Sequence, residues 1–184
     1  MSEFNVHDIM KKQKMVKPKI EDVIPEYLDG DTRKIALDFV AHIRENKMQP
    51  TWGSSNWWAA SYRGKAICHI RLPRNQKDNH FDQTRLPEGD RSKNFWVVSL
   101  VLDHINEYES LIMNEGLQNL IWDNLYYCNK CNPCAPGISK TILGREIKDL
   151  CRSRTPFWFW NPDERTVSCI KRLLELEKMA RHDL

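Results

Sequence analysis

Three cysteines, Cys128, Cys131 and Cys134, stand at every third position of YYCNKCNPCAPG, and Cys151 follows them. Thiolates at this spacing in a turn can reach one ion, and four sulfurs at about 2.3 Å satisfy tetrahedral zinc. Zinc is the leading occupant of this set. With four cysteines as ligands no coordination position is left open, so such an ion braces structure and does not catalyse. An iron–sulfur cluster is the weaker reading, because the bacterial ferredoxin run asks for a further cysteine followed by proline where this chain has Ile138. Reduced thiols or a redox pair remain the alternative, since cytosolic cysteines seldom form stable disulfides. Cys68 and Cys169 stand apart from the cluster.

Tryptophan is the second anomaly. The chain has 7, several of them in the runs TWGSSNWW, NFWVV and FWFW. Trp52, Trp57, Trp58 and Trp96, with His69 nearby in sequence, are candidates to line a cavity for a small hydrophobic or aromatic molecule, each indole offering a broad apolar face and one N–H donor. The alternative is an aromatic core. Successive strand residues point to opposite faces, so one ring of Trp57-Trp58 must leave whatever core the other enters.

No catalytic motif is present: the chain lacks a phosphate-cradling glycine loop, a nucleophile elbow, an H-E-x-x-H helix and a dinucleotide fingerprint. His69, His104, Cys68 and Glu107 are candidate acids, bases or nucleophiles by type alone. An enzyme acting on an aromatic compound in the same cleft, with His69 or Glu107 as base, is therefore a second reading. A nucleic-acid or protein interaction module is a third.

The elements that must position these residues can be read from periodicity. Ala36, Phe39, Val40 and Ile43 recur at helical spacing and predict a helix over 31–47. Residues 57–62 and 65–72 flank Arg63-Gly64 and predict a hairpin, with Cys68, Ile70 and Leu72 on one face and Ile67, His69 and Arg71 on a more polar one. Residues 95–102 are mostly apolar and predict a central strand. Leu117, Leu120, Ile121 and Leu125 predict a second helix over 115–126, with Gly116 a weak point should it extend backward through Leu111 and Ile112. A second hairpin is expected about Gly144-Arg145. The third helix is expected to open on Asn161 as cap, Pro162 and Glu164, and to bury Val167, Ile170, Leu173 and Leu174. The fold class is α+β: a central, mostly antiparallel sheet of about five strands with three helices, and a cysteine knuckle in the carboxy-terminal third.

The 184 residues are 41% hydrophobic and 29% charged, an ordinary globular composition, and suit one domain. Lys11, Lys12, Lys14, Lys17 and Lys19 against Glu3 and Asp8 carry the whole formal net charge of +3. A flexible lysine-rich tail over 1–20 and a single domain over 21–184 are thus expected, with residues 73–93 a long polar loop. A basic tail on a neutral body makes nucleic acid an unexpected partner. No apolar run suits a bilayer, and the amino terminus lacks a secretory core, so a cytoplasmic setting is expected.

The segments KMQPTW, GKAICHIRL, CNKCNPCAPG and KTILGREIKDLC together resemble a small uncharacterised bacterial family often seen in clostridia. The resemblance covers most of the chain after residue 30. It implies a bacterial cytosolic setting and an architecture similar to small α+β ligand-binding modules found alone or beside bacterial regulators.

Overall fold

The computed structural model describes residues 6–72, 95–128, 130, 136–152 and 154–182. In chain order the elements are α1 (Val6–Val16), α2 (Ile20–Tyr27), α3 (Gly30–Glu45), β1 (Gln49–Ser54), β2 (Trp57–Tyr62), β3 (Lys65–Arg71), β4 (Val97–Leu100), α4 (Glu109–Asn114), α5 (Gln118–Asp123), β5 (Ile138–Ile142), β6 (Arg145–Leu150), β7 (Phe157–Trp160) and α6 (Glu164–Ala180). The class is α+β, as the grouping of strands predicts. One sheet has five strands in the order β1-β2-β3-β4-β7, and β5 pairs with β6 in a separate hairpin. The expected 73–93 loop, together with Cys131 and Cys134 of the expected knuckle, lies outside the described residues.

The described residues hold six helices where periodicity predicts three. Two of the extra helices lie in the amino-terminal segment. Lysines hide the helical propensity of α1 when composition alone is read, and α2 places only Ile20, Val23 and Ile24 on its buried side. The third is the expected backward extension, standing alone: the 115–126 helix is found as the shorter α5, and the stretch through Leu111 and Ile112 forms a separate α4. The two are parted at Gly116, whose φ of +70° is left-handed backbone that ends a helix.

The chain forms two compact units, one of Met1–Val98 with Trp160–Glu164 and the other of Ser99–Phe159 with Arg165–Leu184. In the first, α3 buries Ala36, Phe39, Val40 and Ile43, the predicted stripe. Arg44 of α3 donates to both carboxylate oxygens of Glu21 on α2, with Nη2 to Oε2 at 3.0 Å. Strands β1, β2 and β3 form an antiparallel meander. Arg63 and Gly64 both take positive φ, +49° and +79°, the geometry of the tight hairpin turn that matches strand twist. The register moves between the pairs Ala60–Cys68 and Ser61–Ala66, leaving Ile67 as a bulge. This corrects the simple alternation expected of the strand: Ile67 is buried along with Cys68 and does not share the half-buried surroundings of His69 and Arg71.

In the second unit the β5–β6 turn is Leu143-Gly144, one residue before the predicted pair, and both residues take positive φ. Helix α6 buries Val167, Ile170, Leu173 and Leu174 as predicted, and Leu176 and Glu177 besides. Its expected cap is corrected. Asn161 lies outside the helix at φ +44° in the first unit, where its N–H donates to the Trp96 carbonyl at 2.8 Å.

Candidate functional site

The β1–β3 meander sorts the candidate ring residues onto two faces. Pairing sets Trp52 opposite Trp58, and Trp58 opposite Ile70. Trp58 is 0% exposed and its indole donates to the Pro18 carbonyl at 3.0 Å. Trp52 is half-buried and its indole donates to Gln13 Oε1 at 3.3 Å. The amino-terminal segment thus satisfies both polar tips on this face. Residues 6–16 are helical where a flexible tail is expected, and Gln13 is what docks them. Its Oε1 accepts from the Asn56 N–H at 2.9 Å, and its Nε2 donates to Asn56 Oδ1 at 2.6 Å.

Trp96 is also 0% exposed and packs against Phe39 with centroids 5.8 Å apart. Trp58 and Trp96 are therefore core rings, and the five candidates do not line one surface.

The opposite face keeps Trp57 and His69 together. Trp57 pairs with Arg71 and Ala59 with His69. The ring of Trp57 lies so close over Gly53 that a Cβ there would come within 2.4 Å of it, so this strand position requires glycine. The His69 ring is 5.2 Å from the Trp57 ring, and the Arg71 guanidinium lies 5.6 Å from the Trp57 centroid, within cation–π range. Thr51 and Ala59, small residues paired with each other, lie beside them. The Trp57 indole N–H is shielded and meets no acceptor among the described residues. Burial, with a further contribution from the Arg71 charge, pushes His69 down to about 4. Burial alone pushes the Cys68 thiol up to about 12. At neutral pH the histidine is thus uncharged and Cys68 is an inert thiol.

The other acid–base candidates belong to the second unit. Glu107 is exposed. His104 is held by a buried carboxylate that the sequence reading missed. Glu177, 0% exposed, accepts from His104 Nδ1 at 2.9 Å, the Tyr108 hydroxyl at 2.8 Å, Arg181 Nε at 2.8 Å, and the backbone N–H groups of Asp103 and His104. Arg181 Nη2 also donates to the Val101 carbonyl at 3.0 Å. This saturated network ties the 101–108 segment to α6. Burial and the Glu177 charge raise the Tyr108 hydroxyl far above its ordinary range. A signal was present in the sequence: Ile170, Leu174, Glu177 and Arg181 continue one stripe at helical spacing, so a charged pair occupies core positions.

Two of the four candidate metal ligands are described, and they lie near one another. Tyr127 and Leu150 form an antiparallel bridge, the Cys128 N–H donates to the Asp149 carbonyl at 2.6 Å, and the Cys151 N–H donates to the Tyr126 carbonyl at 3.2 Å. Cys128 and Cys151 are therefore diagonal neighbours on one side of that bridge. Gly137 presses on the same spot, since a Cβ on it would come within 2.6 Å of the Asp149 Cα. No group of three or more metal-ligating side chains occurs among the described residues, and none of their helices is long and apolar enough to cross a membrane.

Compared with protein-family models, curated proteins and solved structures, the chain matches none of them.

Proposed function

We propose that this protein binds a small hydrophobic or aromatic molecule against the Trp57 face of the β1–β3 meander, and that its cysteine cluster is a structural brace. The observation that carries the reading is the Trp57 ring seated on Gly53, with His69 at 5.2 Å and Arg71 at 5.6 Å beside the small residues Thr51 and Ala59. Planar rings prefer offset or tilted stacking on such a surface.

Binding is favoured over catalysis at this place by proton affinity. A general base works best with a pKa near the operating pH, whereas His69 is at about 4 and Cys68 at about 12. For the brace, the stretch from Cys128 to Gly137 begins and ends against Asp149. That closure is the kind of short loop one zinc ion or a thiol cluster holds.

The test uses 2-naphthamide, a neutral two-ring probe, followed through the indole N–H resonances. It is expected to shift the Trp57 resonance with saturation and without turnover. Trp57→Ala should remove binding, and Trp58→Phe should keep it. Undiminished binding by the Trp57 variant would end this reading.

A further inference from the structure

Gln13 turns one side of α1 to the meander through its bonds to Asn56 and Trp52. At 3.6 residues per turn Lys11 and Met15, each two positions from Gln13, fall on the far side of the helix. Residues 11–19, KKQKMVKPK, contain five lysines and no acidic residue, although the chain has 25 of the latter. All five lysines are exposed. Lys19 also acts on Glu21, which Arg44 already holds, so the basic surface is counted from Lys11, Lys12, Lys14 and Lys17. Met15 and Val16, 81% and 68% exposed, stand among them and are the most exposed large apolar side chains of the described residues. The Lys17 N–H donates to the Gln13 carbonyl at 2.7 Å, so both belong to a closed helical turn.

Lysines on a helix need no partner but water. Apolar side chains left in water at the same place cost free energy, and an interface that offers negative charge and an apolar phase together relieves that cost. The surface of an anionic bilayer offers both. The ammonium groups reach the headgroup phosphates while Met15 and Val16 enter the boundary of the acyl chains, with the lysine stems lying along it. A nucleic-acid strand offers phosphates and leaves the two apolar side chains in water. Docking by Gln13 favours the contact further, because a helix ordered beforehand loses less conformational freedom on binding than a tail that must fold there.

We infer that α1 is a peripheral membrane-docking helix, which seats Lys11, Lys12, Lys14 and Lys17 on anionic lipid headgroups with Met15 and Val16 inserted between them. The inference does not rest on the Trp57 site, since α1 lies on the Trp52 side of the meander.

The experiment is co-sedimentation of the full chain with phosphatidylcholine vesicles, with and without about a quarter of phosphatidylglycerol. The anionic vesicles are expected to bind at least about 10-fold more tightly at low salt, with the difference shrinking as salt rises. The combined change Lys11→Gln, Lys12→Gln and Lys14→Gln should lower that binding at least about 10-fold. Met15→Gln with Val16→Gln should lower it by about as much, through lost insertion. All these positions are exposed, so the melting temperature should not move. The comparison of the two vesicles on the unaltered chain stands even if a variant folds poorly. Equal binding to both vesicles, or binding to neither at millimolar lipid, would overturn the inference. Anionic-vesicle binding that ignores the Met15 and Val16 changes would overturn it as well, leaving a salt-sensitive charge contact without insertion. Binding of the single-stranded oligonucleotide (dT)20 without binding to vesicles, lost with the three lysines and indifferent to Met15 and Val16, would replace the bilayer with a nucleic-acid strand.

Discussion

Trp57 and Trp58 are adjacent in sequence and opposite in circumstance, because a strand turns successive side chains to opposite faces. Trp58 and Trp96 are fully buried, so replacing either by alanine removes a large ring from a packed core and should cost about 3–5 kcal/mol in chemical denaturation. Trp57 is half-buried, and Trp57→Ala should cost clearly less. Equal losses at all three positions would mean that Trp57 is a core ring too. His69 makes a second test at this scale. Its folded-state pKa is about 4, below the ordinary value of 6.5, so between these values the unfolded chain binds more protons than the folded one. The stability owed to neutral His69 is therefore complete above about pH 6.5 and is lost as pH falls towards 4. The His69 ring resonances should titrate with a midpoint near 4, and His69→Gln should flatten the acid limb of the stability profile. A midpoint at the ordinary value would show an open, solvated ring.

Among the elements, α1 changes most between expectation and structure. Five lysines in the first twenty residues read as a solvated tail, yet one polar side chain docks the helix. Gln13 is buried and holds Asn56 and Trp52 through three hydrogen bonds. Gln13→Ala leaves the buried Asn56 amide and its backbone N–H without those partners, a loss of about 1–3 kcal/mol, and should lower the melting temperature. Deleting residues 1–19 should lower it at least as far, since the Pro18 carbonyl that receives the Trp58 indole goes too. An unchanged melting temperature in both would return the segment to a tail. The elements legible in the sequence were those in which one stripe or one turn decides the outcome. α3 and α6 follow their apolar spacing, and the Arg63-Gly64 hairpin follows its glycine. Those that were not legible depend on a partner distant in sequence. Nothing local marks Gln13 as the mate of Asn56, and nothing local tells that Ile67 becomes a bulge. At the candidate site the polar side of β3 was readable from alternation, while the seating of Trp57 on Gly53 required the β1–β2 register, which skips a residue between Trp52 and Ser54.

At the scale of the whole molecule, the amino-terminal unit buries a broad set of aliphatic and aromatic residues, whereas the segment after α5 carries cysteines, asparagines and prolines with little apolar material. Such a segment needs another source of order. Cys128 is anchored to the Asp149 carbonyl, Gly137 abuts the Asp149 backbone, and Cys151 lies diagonally across the bridge from Cys128. An ion shared by Cys128, Cys131, Cys134 and Cys151 would tie the end of α5 to the end of β6, and its binding free energy would appear as folding stability. Elemental analysis of protein purified without added metal should then find about one zinc per chain, and a strong chelator should lower the melting temperature. Cys131→Ser should reproduce the chelator effect. Cys169→Ser, within α6 and distant in sequence from this segment, should not. A Cys151→Ser variant that keeps all its zinc would remove Cys151 from the ligand set. Metal-free protein of full stability would leave the cluster as reduced or redox-active thiols.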